Sequence, residues 1–256
     1  MLISVITAAF NSELTIRDPI ESVLNQTYDE IEYIVVDGAS KDNTVKVVES
    51  YRPAFEKKGY QLIVISEPDH GIYDAMNKGI RKASGEIIGI INSDDWYEPQ
   101  ALQRVAETYD KEHFDMFYAQ LANINPDGTL HHMKHCKDDK WVTTRHWNHP
   151  TTFITKKTYE EVGMFKNQGG LYDDFDLYLR IRKAGKKRVI LDEKLANFRL
   201  GGASDPHGIK YTWRLFKDKL HCYIDNGYSW IYVFECIAME GGRYFYYKKR
   251  NLHSGY

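Results

Sequence analysis

Four short runs of apolar, largely β-branched residues constrain this chain more than any other feature: Leu2–Thr7 (LISVIT), Ile31–Val36 (IEYIVV), Leu62–Ile65 (LIVI) and Ile87–Ile91 (IIGII). Near-continuous apolar runs are the signature of strands covered on both faces. Helical patterns fill the gaps. Ile16, Ile20, Val23 and Leu24 repeat at helical spacing, and Asp18-Pro19-Ile20-Glu21 offers a helix start. Asp42–Tyr51, Ile72–Lys82 and Gln100–Tyr109 read the same way. This alternation predicts an α/β fold with a mostly parallel sheet and helices on both faces.

The second half is less regular. Asn125–Thr129 (NPDGT) signals a turn between two short strand-like pieces, hence an antiparallel hairpin. Asp173–Ala184 reads as a helix with Leu177 and Ile181 on one face. Beyond Gly201-Gly202 an apolar stripe of Trp213, Phe216, Leu220, Tyr223 and Ile224 returns at helical spacing, and "RYFYYKKR" (Arg243–Arg250) follows. That stripe predicts packing on the domain or on a second subunit, or a helix lying on an anionic membrane surface.

Composition narrows the function classes. A chain of 256 residues suits one large domain, or one domain with an appendage. Its formal net charge of -2 gives no basic field for nucleic acid. Its three cysteines, Cys136, Cys222 and Cys236, show no CxxC spacing, so neither a disulfide framework nor a zinc site is predicted. The apolar N-terminus lacks the basic start of a signal peptide, and no stretch approaches the ~20 apolar residues of a spanning helix. The expected location is the cytoplasm, with peripheral contact at the inner face of the plasma membrane as an option.

In open α/β sheets, ligands bind beyond the carboxyl ends of the strands. Here those ends are Ala8-Ala9-Phe10-Asn11, Asp37-Gly38-Ala39-Ser40, Ser66-Glu67-Pro68-Asp69 and Asn92-Ser93-Asp94-Asp95. Each brings a carboxylate or an amide to one edge. A nucleotide accounts for the set: Phe10 stacks on a base, Asp37 accepts from base or ribose, and Asp94-Asp95 hold a hard divalent cation bridging two phosphates. Taken singly, Asp37 is equally a turn and helix-cap residue, and Asn92–Asp95 an Asx turn.

The segments "ISVITAAFN", "IEYIVVDGASKDNT", "HGIYDAMNKGIRKASGEIIGIINSDDWY" and "YDDFDLYLRI", in this order and at these separations, resemble the family-2 glycosyltransferases. The resemblance covers roughly residues 2 to 204. It implies the GT-A fold, Rossmann-like as in nucleotide-diphospho-sugar transferases, for residues 1–204, leaving 205–256 as a helical, aromatic-basic C-terminal extension. It also implies a nucleotide-sugar donor, most often UDP-linked, a Mn²⁺ or Mg²⁺ ion, a saccharide or lipid-linked saccharide acceptor, and inversion at the anomeric carbon. The biological setting it implies is bacterial polysaccharide assembly.

Carried over by position, Ala8, Phe10, Asn11 and Asp37 form the nucleotide site, Asp94 and Asp95 match the metal-binding DXD-type motif, and Asp69, Gly71 and Asn77 lie beside the donor sugar. Asn92 stands where many members have the first aspartate, which makes Asp95 the first choice of metal ligand. Asp174 takes the position of the catalytic base and Asp173 that of the preceding glutamate. His149 falls on the acceptor side, and Gly201 and Gly202 fall in the segment that closes over the site. The processive members' Gln-x-x-Arg-Trp is absent, so transfer of one sugar per encounter is expected. Two rivals remain: a sugar nucleotidyltransferase, disfavoured because "TAAFNSE" lacks a glycine-rich basic loop, and a noncatalytic nucleotide-binding scaffold of the same fold.

Overall fold

The computed structural model describes residues 1–167, 169–201 and 208–253. Strands β1 (Ile3–Ala9), β2 (Ile31–Asp37), β3 (Gln61–Ser66) and β4 (Ile87–Ile90) run parallel in the spatial order β3-β2-β1-β4. The register sets Ile3 against Ile31 and Ala9 against Asp37, so the ends of β1 and β2 arrive together at one edge. Alternate residues enter opposite cores: Ile3, Val5, Tyr33 and Val35 on one face, Ile6, Ala8, Ile34 and Val36 on the other. Helices α1 (Arg17–Leu24), α2 (Thr44–Ser50) and α3 (Arg52–Lys58) cover the first face through Ile20, Val23, Val48 and Phe55. Helix α4 (Ile72–Lys82) covers the second through Ala75, Met76 and Ile80.

Beyond β4 the sheet changes character. Strand β8 (Phe153–Thr155) pairs antiparallel with β4 and with β6 (Met116–Ile124). Strand β6 forms the NPDGT hairpin with β7 (Leu130–Lys134) and pairs in parallel with β9 (Arg188–Arg199), whose far side takes the two-residue β5 (Trp96–Tyr97). Helices α5 (Ala101–Glu112), α6 (Lys156–Val162) and α7 (Asp173–Lys183) complete this part, and α8 (Ile209–Asp225) and α9 (Tyr232–His253) form the C-terminal extension. Among the described residues no helix is long and apolar enough to cross a membrane.

Of the apolar stripe expected on α8, Phe216, Leu220 and Tyr223 pack on the domain core, and its two ends do not. Trp213 and Ile224 are exposed, and the buried face runs through Leu215, Lys219 and Tyr223. A lysine takes a core position because its charge is answered there: Lys219 Nζ lies 2.9 Å from Glu235 Oε1, 3.6 Å from Glu240 Oε1 and 2.9 Å from Thr144 Oγ1. Glu240 also accepts from the Tyr172 hydroxyl at 2.8 Å, which ties α9 to the residue just before α7. Lys219→Met strands two buried carboxylates, and removing one partner of a buried ion pair costs ~3–5 kcal/mol. Urea unfolding of Lys219→Met is expected to show a loss of that size, largely recovered in Lys219→Met/Glu235→Gln/Glu240→Gln. An unchanged midpoint in the single variant refutes the pairing.

Candidate active site

The ends of β1, β2 and β3 meet around Gly38. A Cβ there would lie 2.5 Å from Asp69 Oδ2 and 3.3 Å from the Phe10 ring, so glycine is what lets these loops approach. Phe10 is 61% exposed, an aromatic face open to a ligand. Asn11 adopts a left-handed φ of 49°, donates its backbone N–H to Ser40 Oγ at 2.8 Å and accepts from Lys41 N at 2.9 Å. The Ala8 side chain belongs to the core. Asp37 is buried and fully engaged: Oδ2 accepts from Ser40 N at 3.0 Å and Ser66 Oγ at 2.7 Å, and Oδ1 accepts from Ser40 Oγ. It anchors the turn. Gly38→Ala pushes Asp69 and Phe10 apart. Overpacking of this kind costs ~1–3 kcal/mol, so scanning calorimetry is expected to show a lowered melting temperature for this variant, and an unchanged one refutes the close approach.

The Asn92–Asp95 turn separates its carboxylates into two environments. Asp95 is fully buried, Oδ1 accepting from Arg199 N at 3.0 Å and Oδ2 from Asn92 Nδ2 at 3.0 Å. Burial, reinforced by repulsion from Asp94, pushes its pKa up to about 8. Asp94 is half-buried, and its pKa is also raised, chiefly by burial, with Arg199 acting against the shift. Arg199 Nε donates to Asp94 O at 3.2 Å, and the guanidinium pairs with Asp18. Asn92 Oδ1 is buried without a hydrogen-bond partner. Among the described residues no three His, Cys, Asp or Glu side chains cluster as a cation cage. An orphaned amide oxygen and the Asp94 carboxylate in one turn are hard oxygen donors, the kind that would suit a Mn²⁺ or Mg²⁺ ion.

A cleft of about 490 Å³ is lined by Gly71, Tyr73, Asn92, His149 and Asp174. Asp174, second residue of α7, has Oδ1 accepting from the Tyr73 hydroxyl at 3.1 Å and from Phe175 N at 2.8 Å, while Oδ2 lies 3.9 Å from His149 Nδ1. Burial lowers the His149 pKa against the pull of Asp174, which keeps the imidazole neutral at pH 7. The neighbouring acids behave differently. Asp173 is buried, and Asp176 accepts from Lys166 Nζ, Arg180 Nε and Asn226 Nδ2, each at 2.8 Å. Burial raises the Asp176 pKa, but these partners outweigh it and hold the carboxyl below its usual value. One carboxylate of the cluster thus serves the cleft while another locks the helix.

Not every expected residue converges here. Asn77 pairs its amide with the backbone of Phe165, donating to O at 2.8 Å and accepting from N at 3.0 Å, so it holds a loop in place and does not line the cleft. Asp69 accepts from Gly71 N at 2.9 Å and shapes the entry to α4. Gly201, at φ 88°, is exposed just after β9, and Gly202 lies outside the described residues. Sequence reasoning missed Tyr73, Lys134 and Arg243. Tyr73 carried a signal, an aromatic residue between Gly71 and Asn77 in the motif "HGIYDAMNK". Arg243, with Tyr211 and Leu215, lines the large cleft from the C-terminal extension, which therefore completes the site.

The sequence profile of glycosyl transferase family 2 matches residues 4–176. The chain belongs to this family. The family-2 chain is 27% identical over 190 residues to the chondroitin synthase of Pasteurella multocida, a match covering 72% of this chain and 19% of that one. It is 38% identical over 106 residues to a Bacillus subtilis protein named as a glycosyltransferase, EpsH, covering 41% of this chain and 30% of that one. The chain thus spans less than a third of the length of either relative. The PGL/p-HBAD biosynthesis glycosyltransferase of Mycobacterium tuberculosis is 26% identical over 185 residues, covering 70% of this chain and 69% of that one. Among solved structures, S. aureus TarS in complex with UDP-GlcNAc superposes with a TM-score of 0.68 at 19% identity, covering 96% of this chain and 73% of that one. A mannosyltransferase from Pyrobaculum calidifontis, in complex with GDP-Man and Mn²⁺, gives 0.61 at 15% identity, covering 94% of this chain and 75% of that one. These likenesses establish the GT-A fold.

Proposed function

We propose that this family-2 chain moves a single sugar from a UDP-linked donor to an acceptor hydroxyl, with inversion, in the assembly of a cell-surface polysaccharide. The observation that carries the reading is Asp174. It is a carboxylate with one oxygen fixed by Tyr73 and Phe175 N and the other free of hydrogen bonds among the described residues, in a cleft that also holds Asn92 of the aspartate turn. Direct displacement at an anomeric carbon needs one base to take the acceptor proton as the new bond forms, worth about 10²- to 10⁴-fold. Phe10, Gly38 and Asp69 receive the base and ribose, with Asp37 behind them. TarS bound to UDP-GlcNAc and the mannosyltransferase bound to GDP-Man support a sugar nucleotide as the donor class.

A divalent cation bound with the donor would draw charge off the leaving diphosphate. Asp94 and Asn92 Oδ1 would hold it. This reverses the order expected from the sequence, because both Asp95 oxygens are already committed to Arg199 and Asn92. The transferase domain is proposed to end near residue 204, with the extension supplying one wall of the cleft. A panel of UDP-, GDP- and dTDP-sugars assayed for nucleotide release, with and without Mn²⁺, tests the reading. Release from one nucleotide series supports it; silence across the panel with normal UDP binding favours a noncatalytic scaffold.

A further inference from the structure

A second cleft, of about 260 Å³, meets the first at His149, Tyr172, Asp174, Phe198 and Arg243. Its other walls include Trp147, Asn148 and Lys134. Three polar atoms of these residues are buried without hydrogen-bond partners: Trp147 Nε1, Asn148 Oδ1 and His149 Nε2. Asn148 is only 1% exposed and Trp147 5%. Buried polar groups are nearly always satisfied, so a donor, an acceptor and an imidazole nitrogen left unpaired in three consecutive residues set this wall apart from ordinary core.

Lys134 adds the charge. It projects from β7, its ammonium donates to Trp147 O at 2.8 Å, and that is its one hydrogen bond among the described residues. An ammonium carries three donors, and among the described residues no carboxylate forms an ion pair with this one. Burial lowers its pKa to about 8; Cys136 and Asp174 act against the shift, Lys219 and Arg243 add to it. Among the described residues Asp174 is the one carboxylate of this lining, which also holds Lys134 and Arg243. A half-buried ammonium with one hydrogen bond and no ion-pair partner among the described residues keeps donors for an anionic group. Tyr172 and Phe198, both partly exposed, are the aromatic side chains of this lining that a sugar ring can reach.

We propose that the smaller cleft is the acceptor subsite and that it selects a saccharide bearing an anionic group, a carboxylate or a phosphate, which Lys134 binds. The assignment as acceptor subsite rests on reading Asp174 as the base; the binding of an anionic sugar does not. In this arrangement the donor occupies the large cleft, the acceptor the small one, and Asp174 stands where they join.

The test uses the full chain with UDP and Mn²⁺ present. Calorimetry compares p-nitrophenyl β-glucuronide with p-nitrophenyl β-glucoside, and glucose 6-phosphate with glucose. One anionic probe is expected to bind about 10- to 100-fold more tightly than its neutral counterpart, the range of one charge-assisted hydrogen bond. Which probe does so tells a carboxylate from a phosphate. Lys134→Met is expected to erase the preference while leaving the weak affinity for neutral sugars, and Lys134→Arg to retain it. Equal affinity for charged and neutral probes overturns the proposal, as does a Lys134→Met variant that weakens all probes alike, the mark of a structural lysine. If the preference holds but no donor is turned over, the anionic site stands and the transferase reading fails.

Discussion

Asp174→Asn is expected to lower the rate of sugar transfer by about 10²- to 10⁴-fold and to leave UDP affinity within about twofold. Asparagine keeps the shape of the side chain, and its amide oxygen still accepts from the Tyr73 hydroxyl and Phe175 N, which now meet Asp174 Oδ1 at 3.1 and 2.8 Å. Lost is the basicity of the second oxygen, the one facing His149 across 3.9 Å. His149 does not replace it, because its Nδ1 is part of the same contact and it forms no bond that would relay a proton onward. Loss of rate without loss of donor binding separates chemistry from folding. A variant that turns over near the normal rate removes Asp174 from the mechanism.

The second large effect lies in the aspartate turn, where two adjacent residues should fail in different ways. Asp94→Ala removes a half-buried carboxylate on which no other described side chain depends for a hydrogen bond, so its expected cost falls on the donor: turnover and Mn²⁺-dependent UDP affinity each drop by about 10²-fold or more, with little change in thermal stability. Asp95→Ala leaves Arg199 N and Asn92 Nδ2 without their acceptors inside the protein. Each stranded donor costs ~1–3 kcal/mol, and the end of β9 is expected to loosen, seen as a lower melting temperature before any effect on the donor is considered. If Asp94→Ala melts early and Asp95→Ala does not, the two roles are exchanged.

The parallel half of the sheet was legible because its strands are buried on both faces. β1 and β2 lie within a residue or two of the apolar runs, and α4 runs from Ile72 to Lys82 as its spacing predicts. The antiparallel half was not. β8 has three residues and β5 two, too short to carry a period, and each is a strand only because a distant partner pairs with it. Lys219 was read past for a related reason: a lysine on an amphipathic helix looks solvated until Glu235 and Glu240 of another helix are in view. The site divides the same way. Glycines and aspartates at strand ends announce a ligand edge, but whether an individual side chain serves the ligand or the fold depends on contacts far along the chain. Asn77 is claimed by Phe165, Asp37 by Ser40 and Ser66, whereas Asp174 keeps an oxygen for the cleft.

The most direct test is calorimetric titration of UDP into the full chain, once with Mn²⁺ and once with excess EDTA, alongside UDP release from the active sugar nucleotide under both conditions. The account predicts that chelation weakens UDP binding by about 10²-fold or more and abolishes turnover, since the Asp94 carboxylate then faces the diphosphate with no intervening positive charge. Equal affinity and equal turnover in the two conditions would contradict it.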